Sequence, residues 1–189
     1  MMNKKIILFN GPPGAGKDTV AELLAFKYSG KVEKFAAPIK ENCRNIYGLT
    51  QEQWNQVDGS QEAKAQPHEF FFGQTCRQVQ INFSELFLKP THDKFIFGNL
   101  LARRLKQAYN NLFFISDSGF AEEAMFLETE FGSENIFLIR LHREGHTYDG
   151  DSRSYVHLET VQSLDIENNG SIEDTITKIE EFLKEKGAL

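Results

Sequence analysis

The feature that most constrains this chain is the run Gly11-Pro12-Pro13-Gly14-Ala15-Gly16-Lys17-Asp18-Thr19. It stands between the apolar stretch Lys5-Ile6-Ile7-Leu8-Phe9 and an amphipathic stretch from about Lys17 to Tyr28. Glycines let backbone N–H groups curl around phosphate oxygens, where side chains would block close approach. The helix that follows adds its unpaired first-turn N–H groups and the positive end of its dipole. A lysine at the close of such a loop can bridge β and γ phosphates and neutralise charge as a phosphoryl group moves. A strand–loop–helix context is what this mechanism demands, so the loop reads as a nucleotide-phosphate site. Its expected binding residues are Gly11, Gly14, Ala15, Gly16, Lys17, Asp18 and Thr19. Asp18 stands between the lysine and Thr19. A carboxylate so close to triphosphate must face Mg²⁺, a magnesium-bound water or another cation, or else simply complement the helix N-terminus. Both readings remain open at this point.

Around the loop, strands and helices alternate, the pattern of a parallel sheet covered on both faces. The first helix carries Val20, Leu23, Leu24 and the stem of Lys27 on one face, with Gly30 past its last turn. Val32 to Phe35 reads as a strand, and Pro38 opens a helix that Gly48 ends. From about Thr50 to Leu105 the chain is helical and irregular. Thr75 caps a helix carrying Val79, Phe83, Leu86 and Phe87, which Pro90 closes, and another helix runs from Asp93 to about Lys106. Alternation then returns: strand Leu112 to Ser116, helix Ala121 to Glu130, strand Ile136 to Leu141 and strand Val161 to Ile166. Ser171-Ile172-Glu173-Asp174 resembles a capping box ahead of a helix with Ile172, Ile176, Ile179 and Leu183 on one stripe. The expected fold is α/β, a P-loop three-layer sandwich with a mostly parallel, five-stranded sheet. One domain over residues 1–189 is the default at this length.

Composition narrows the functions. The formal net charge is −6, and phosphate-rich polymers need a basic face, so no nucleic-acid polymer is expected as partner. Residues 165–189 hold seven acidic and three basic groups, so most of the acidity lies in the terminal helix. A small anionic ligand in a local basic cleft is compatible with that distribution. No apolar run approaches the roughly 20 residues that span a bilayer. The N-terminal stretch Met1 to Lys5 leads into glycines without a small-residue cleavage site, unlike a signal peptide. Cys43 and Cys76 are too few for a disulfide scaffold or zinc site. A reduced, cytoplasmic protein with no membrane partner is the expectation. The 17 phenylalanines argue for a substantial core.

Several stretches, in order, resemble the phage-type deoxynucleoside monophosphate kinases, P-loop enzymes of the adenylate-kinase-like group. The Gly-Lys-Asp-Thr ending of the loop is similar to theirs. Phe35-Ala36-Ala37-Pro38-Ile39-Lys40 resembles a Phe-Ala-Asp-Pro-Leu-Lys segment, with Ala37 in place of Asp. Gly73-Gln74-Thr75-Cys76-Arg77 resembles a Thr-Pro-Arg segment. Ile115-Ser116-Asp117-Ser118-Gly119-Phe120, followed by Glu122 or Glu123, resembles Ser-Asp-x-Arg-Phe-x-x-Glu, with Gly119 in place of arginine. Asp151-Ser152-Arg153-Ser154 matches a short segment after the fourth strand, and Ile166-Glu167-Asn168-Asn169-Gly170-Ser171 an Ile-x-Asn-x-Gly turn. The resemblance spans about Lys5 to Leu183.

It implies Mg²⁺-dependent transfer of the ATP γ-phosphate to a (deoxy)nucleoside 5′-monophosphate, with ATP as co-substrate. It also implies a helical acceptor-binding region at about 50–105 and a lid at about 142–157. Such chemistry needs positioning and charge neutralisation more than covalent catalysis. The expected catalytic set is Lys17, Arg77, Asp117, Arg143 and Arg153. Asp117, beyond the strand Leu112 to Ser116, and Asp18 are the metal candidates, directly or through water; a strand-end turn is the plainer role for Asp117. Arg77 would grip the acceptor phosphate with its planar fork, and Lys40 and Arg44, four apart on one helix face, face the acceptor or solvent. Arg140, before the polar lid segment, is a phosphate candidate, and Asn168 lies near the adenine by resemblance alone. The histidines show no ligand spacing. Phe70-Phe71-Phe72 reads as core rather than a base-stacking platform. The partners expected are ATP and a nucleoside monophosphate, with a homodimer as an assembly to consider and an infected bacterial host's cytoplasm as the place if the chain is phage-encoded. The rival functions are a P-loop kinase for dephospho-coenzyme A or phosphomevalonate, and a nucleotide-binding protein with weakened catalysis.

Overall fold

A computed structural model of the chain describes residues 4–189. Met1, Met2 and Asn3, the head of the stretch read above as unlike a signal peptide, lie outside the described residues. In chain order the elements are β1 (Lys5–Asn10), α1 (Lys17–Lys27), β2 (Lys31–Glu33), α2 (Ala37–Ile46), α3 (Gln51–Asp58), α4 (Gln61–Ala65), α5 (Cys76–Asn82), α6 (Lys89–Thr91), α7 (Ile96–Gln107), β3 (Leu112–Ser118), α8 (Ala121–Phe131), β4 (Ile136–His142), β5 (Gln162–Glu167) and α9 (Ile172–Glu185). They divide into two compact units, one of residues 36–96 and the other of the remainder.

The larger unit is a five-stranded sheet in the order β2-β3-β1-β4-β5, every neighbouring pair parallel. Parallel strands are buried on both faces and read as continuous apolar runs, which is why Ile6 to Phe9, Phe113 to Ile115 and Ile136 to Ile139 are nearly or wholly inaccessible. Phe9, Phe114 and Phe137 anchor the sheet's interior, each contributing about 1.5–3 kcal/mol by burial. The edges are blunted: β2 has three residues, and β5 turns Gln162, Ser163, Asp165 and Glu167 to solvent. From β1 the chain passes to one side of the sheet, and from β3 it passes to the other. The carboxyl ends of β1 and β3 therefore flank the point where strand order reverses, the place open α/β sheets reserve for ligands.

Helices α1 and α9 cover this core. On α9, Ile179 and Leu183 are fully buried, with Ile172 and Ile176 packed beside them. On α1 the buried face is Val20, Ala21, Leu24 and Ala25; Leu23, expected on that face, is 44% exposed because it lies outside this 3–4-residue stripe. The left-handed residue after α1 is Ser29 rather than Gly30.

In the smaller unit Phe71 is the hub, fully buried and edge-on to Tyr47 (5.0 Å) and Trp54 (6.5 Å). Phe72 adopts a left-handed conformation and is 91% exposed, so the phenylalanine triplet gives the core one full member rather than three. Thr50 and Thr75 both form capping boxes, with Gln53 and Gln78. Pro90 does not close the helix that Thr75 opens. Residues 83–88 widen into a π-helical stretch in which Lys89 N–H reaches back to Ser84 O, and the helix continues through Pro90 to Thr91. The widened turn also rotates the following residues, leaving Leu86 and Phe87 exposed instead of aligned with Val79. Cys43 and Cys76 are free, and burial pushes both thiols up to about 11. Among the described residues no helix is long and apolar enough to cross a membrane.

Candidate active site

The loop after β1 is built for an anion. Gly14 and Gly16 hold φ of 81° and 93°, the left-handed region that glycine enters without cost. Gly16 is the N-cap of α1 and supplies no side-chain cap, so the helix presents its first-turn amides to the loop. Lys17 is buried, and its Nζ donates to Gly11 O (2.6 Å) and Pro12 O (2.8 Å). Burial, and then the positive charge of Arg153, lower its pKa to about 8, against the opposing pull of Asp18, Asp117 and Asp151.

That value carries a pH prediction. A bound phosphate favours charged Lys17, so nucleotide affinity is expected to be level between pH 7 and 8. It should then fall by up to about tenfold per unit as the free lysine deprotonates. Calorimetric titration of ADP, in EDTA, from pH 7 to pH 10 checks this. A profile that stays flat to pH 10 would contradict it.

Asp18 faces cations supplied by the protein itself. Its Oδ1 accepts from Ser116 Oγ (2.6 Å) and pairs with Lys34 Nζ (2.6 Å). Burial would raise this carboxyl, but those two donors hold it below its ordinary value. Burial likewise opposes the charge on Lys34, which Asp18, Asp117 and Glu22 together hold above the usual lysine range. Asp117 lies inside β3, one residue before its end, rather than beyond it. A β-bulge explains the difference: Leu8 pairs Ile115, but Asn10 pairs Ser118, so β3 carries one extra residue here. The Asp117 carboxylate accepts from Phe35 N (2.8 Å). Thr19 is exposed in the first turn of α1.

The segment after β4 comes back onto the loop. Arg143 Nη1 donates to Gly14 O (3.1 Å), and His146 Nδ1 meets Pro13 O (2.9 Å). Asp151 accepts from Arg153 Nε (2.9 Å) and Nη2 (2.6 Å). The joint between segment and sheet is Asn10, fully buried at the end of β1. Its Nδ2 donates to Ser118 O (2.9 Å), Tyr148 Oη (3.0 Å) and Ser154 O (3.0 Å), and its Oδ1 accepts from Val156 N (3.0 Å). Burial pushes Tyr148 up to about 12, so its phenol stays neutral.

Of the residues singled out from sequence, Gly11, Gly14, Ala15, Gly16, Lys17, Asp18, Thr19, Asp117, Arg143 and Arg153 gather around this loop. Arg140 stands behind it. Its guanidinium is bound by Asp165 (2.8 and 2.6 Å), Val156 O and Ser163 Oγ, bracing β4 to β5. Asn168, in the turn after β5, is buried, donating to Ala15 O (2.8 Å) and accepting from Thr175 Oγ1 (2.8 Å), so it ties the loop to the last helix. Lys40, Arg44 and Arg77 belong to the smaller unit, where they bond separately to Asp58, to Gln51 and Asn45, and to Gln61. Sequence reasoning missed Asn10, Lys34, Ser116, Tyr148 and His146. Two of them left traces: Asn10, as a polar residue ending an otherwise apolar strand just before the first glycine, and Ser116, as the serine of the Ser-Asp segment.

The residues present fit a magnesium nucleotide. Among the described residues no group of three histidine, cysteine or acidic side chains could hold a metal alone. Mg²⁺ in nucleotide sites is instead held by one or two carboxylates together with phosphate oxygens and waters, and Asp117 and Asp18 beside the loop are such carboxylates.

No family model matches the chain. It is 30% identical over 182 residues to a protein of Acanthamoeba polyphaga mimivirus named "Putative deoxynucleotide monophosphate kinase", which covers 89% of this chain and 91% of that one. Among solved structures, a "putative kinase" from Chloroflexus aurantiacus matches over 98% of this chain and 99% of its own, with a TM-score of 0.52 at 14% identity. A sugar kinase from Janibacter sp. matches over 96% and 95%, with a TM-score of 0.51 at 10% identity. At such identities the two structures speak to the fold, which is that of the P-loop kinases.

Proposed function

Since the chain belongs to the family of that mimivirus kinase, and is itself a P-loop kinase, we propose that it transfers the γ-phosphate of ATP to a deoxynucleoside 5′-monophosphate. The observation that carries this reading is the loop itself: left-handed Gly14 and Gly16, an uncapped α1 and a buried Lys17 on loop carbonyls. These parts bind a polyphosphate and leave the acceptor to be read from the relative's name.

In the proposed reaction the loop amides hold the β-phosphate. Lys17 exchanges its bonds to Gly11 and Pro12 for β and γ oxygens, following the moving charge. Asp117 and Asp18 would hold Mg²⁺, directly or through water, and the ion when bound would supply charge neutralisation to the transferring group. Arg143 and Arg153 bring positive charge from the segment after β4, which shields the transferring group from water. The monophosphate nucleophile is already ionised, so no general base is required. We assign Arg77, with Lys40 and Arg44, to the acceptor phosphate on the strength of the sequence resemblance.

The test is ADP release from ATP and Mg²⁺ with each of the four deoxynucleoside monophosphates, their ribose counterparts, dephospho-coenzyme A and phosphomevalonate. At least one deoxynucleoside monophosphate is expected to stimulate release about 10²-fold or more over ATP alone. Stimulation by none of them would sink the assignment, and stimulation by another acceptor would replace it.

A further inference from the structure

We propose that Gly119 is a positioning residue: its missing side chain is the opening through which Arg153 reaches the phosphate loop. This rests on the phosphotransfer reading of the same site. Gly119 follows β3 directly and is not among the glycines with positive φ, so its backbone conformation does not demand glycine. Space does. A Cβ built at 119 would lie 2.6 Å from Arg153 Cδ, 2.8 Å from its Cγ and 2.9 Å from its Cβ. All three distances are too short for carbon atoms to share.

The arginine cannot shift cheaply. These are the stem atoms of the side chain rather than its flexible end. Ser154 N–H donates to Gly119 O (3.1 Å), Arg153 N–H donates to Asp151 Oδ1 (3.0 Å), and Asn10 holds Ser154 O and Val156 N just beyond it. A methyl group at 119 must therefore turn Arg153 Cγ and Cδ away, and the remaining 2.9 Å approach to Arg153 Cβ is relieved by a backbone shift of about a few tenths of an ångström. The position matters because the segment that carries Arg153 lies on the phosphate loop, where Arg143 Nη1 donates to Gly14 O (3.1 Å) and His146 Nδ1 meets Pro13 O (2.9 Å). A cation held there before the polyanion arrives is the preorganisation a phosphate site requires. A plain surface ion pair with Asp151 would gain nothing from that placement.

A double-mutant cycle tests this, with Gly119→Ala, Arg153→Ala and the combined variant read in ADP affinity by calorimetry, in kcat and KM, and in thermal melting. Losing the arginine should weaken ADP binding about tenfold or more and lower kcat about 10²-fold. Gly119→Ala should lose a comparable factor, and the combined variant should be no worse than Arg153→Ala alone. The combined variant should also melt no lower than Gly119→Ala, because truncating the arginine removes Cγ and Cδ, two of the three atoms the methyl group meets. Losses that multiply, or a Gly119→Ala enzyme equal to wild type, would overturn the proposal. If Gly119→Ala does not fold, recovery of folding in the combined variant supports it and failure of both overturns it. A wild-type chain that phosphorylates no acceptor refutes the functional reading alone, since the ADP cycle still reports on the arginine.

Discussion

Lys17→Met is expected to lower kcat by about 10³-fold and to weaken ADP binding by about 10²-fold, with the circular dichroism spectrum unchanged. The size follows from what Lys17 does in the geometry: it is a buried cation whose bonds to Gly11 O and Pro12 O can be exchanged for phosphate oxygens. Removing one preorganised donor to developing charge costs about 10²–10³ in rate, and a full cation in a dry site costs more. The fold should tolerate the change. Methionine matches the lysine stem, and the folded pKa of about 8 lies below that of a lysine in water. Folding therefore disfavours the charge at neutral pH, and removing it costs the native state little. A variant keeping a tenth of the wild-type rate would show that the lysine is not where transferring charge is neutralised.

Asn10→Ala should be the opposite kind of variant, one that fails through stability. The asparagine is fully buried and satisfies three acceptors and one amide drawn from β3 and residues 148–156. Truncation would leave Ser118 O, Ser154 O and Val156 N in the interior without their partner, at about 1–3 kcal/mol for each group not reached by water. Allowing for partial hydration, a loss of about 3 kcal/mol is expected, or about 10 °C in Tm for a chain of this size. Scanning calorimetry measures it. A melting temperature within 2 °C of wild type, on the order of the shift from 0.5–1 kcal/mol, would mean that the segment is held by other contacts. Loosening the segment should also lower kcat, because it carries Arg153.

What was legible in the sequence is what short-range physics determines. The apolar runs at Lys5 to Phe9, Leu112 to Ser116 and Ile136 to Leu141 could only be strands buried on both faces. The glycine spacing before Lys17 could only be a phosphate turn in that context. The register of the β3 bulge was not legible, because one extra residue between Ile115 and Ser118 depends on β1 beside it. That bulge is what draws Asp117 into the strand. The π-helical stretch before Pro90 was equally hidden, since the six residues alone fit an ordinary helix. Asp18 left two roles open in the sequence, and its pairing with Lys34 and Ser116 was not legible there. Those partners come from β3 and from the turn after β2, and no spacing rule links them to the loop. The same holds for Asn10, whose partners lie more than a hundred residues away. The folded chain thus assembles much of the site's support from residues whose local sequence reads as turn or loop.

The central claim is that the phosphoryl group leaving ATP arrives on a nucleoside monophosphate, and the direct measurement is of the acceptor itself. ATP, Mg²⁺ and the most stimulating deoxynucleoside monophosphate are incubated with wild-type chain and with Lys17→Met, and the nucleotides are separated by chromatography. The account predicts a deoxynucleoside diphosphate formed in equal amount to ADP by the wild type, and neither product above background with the variant. ADP formed without any phosphorylated acceptor would contradict it.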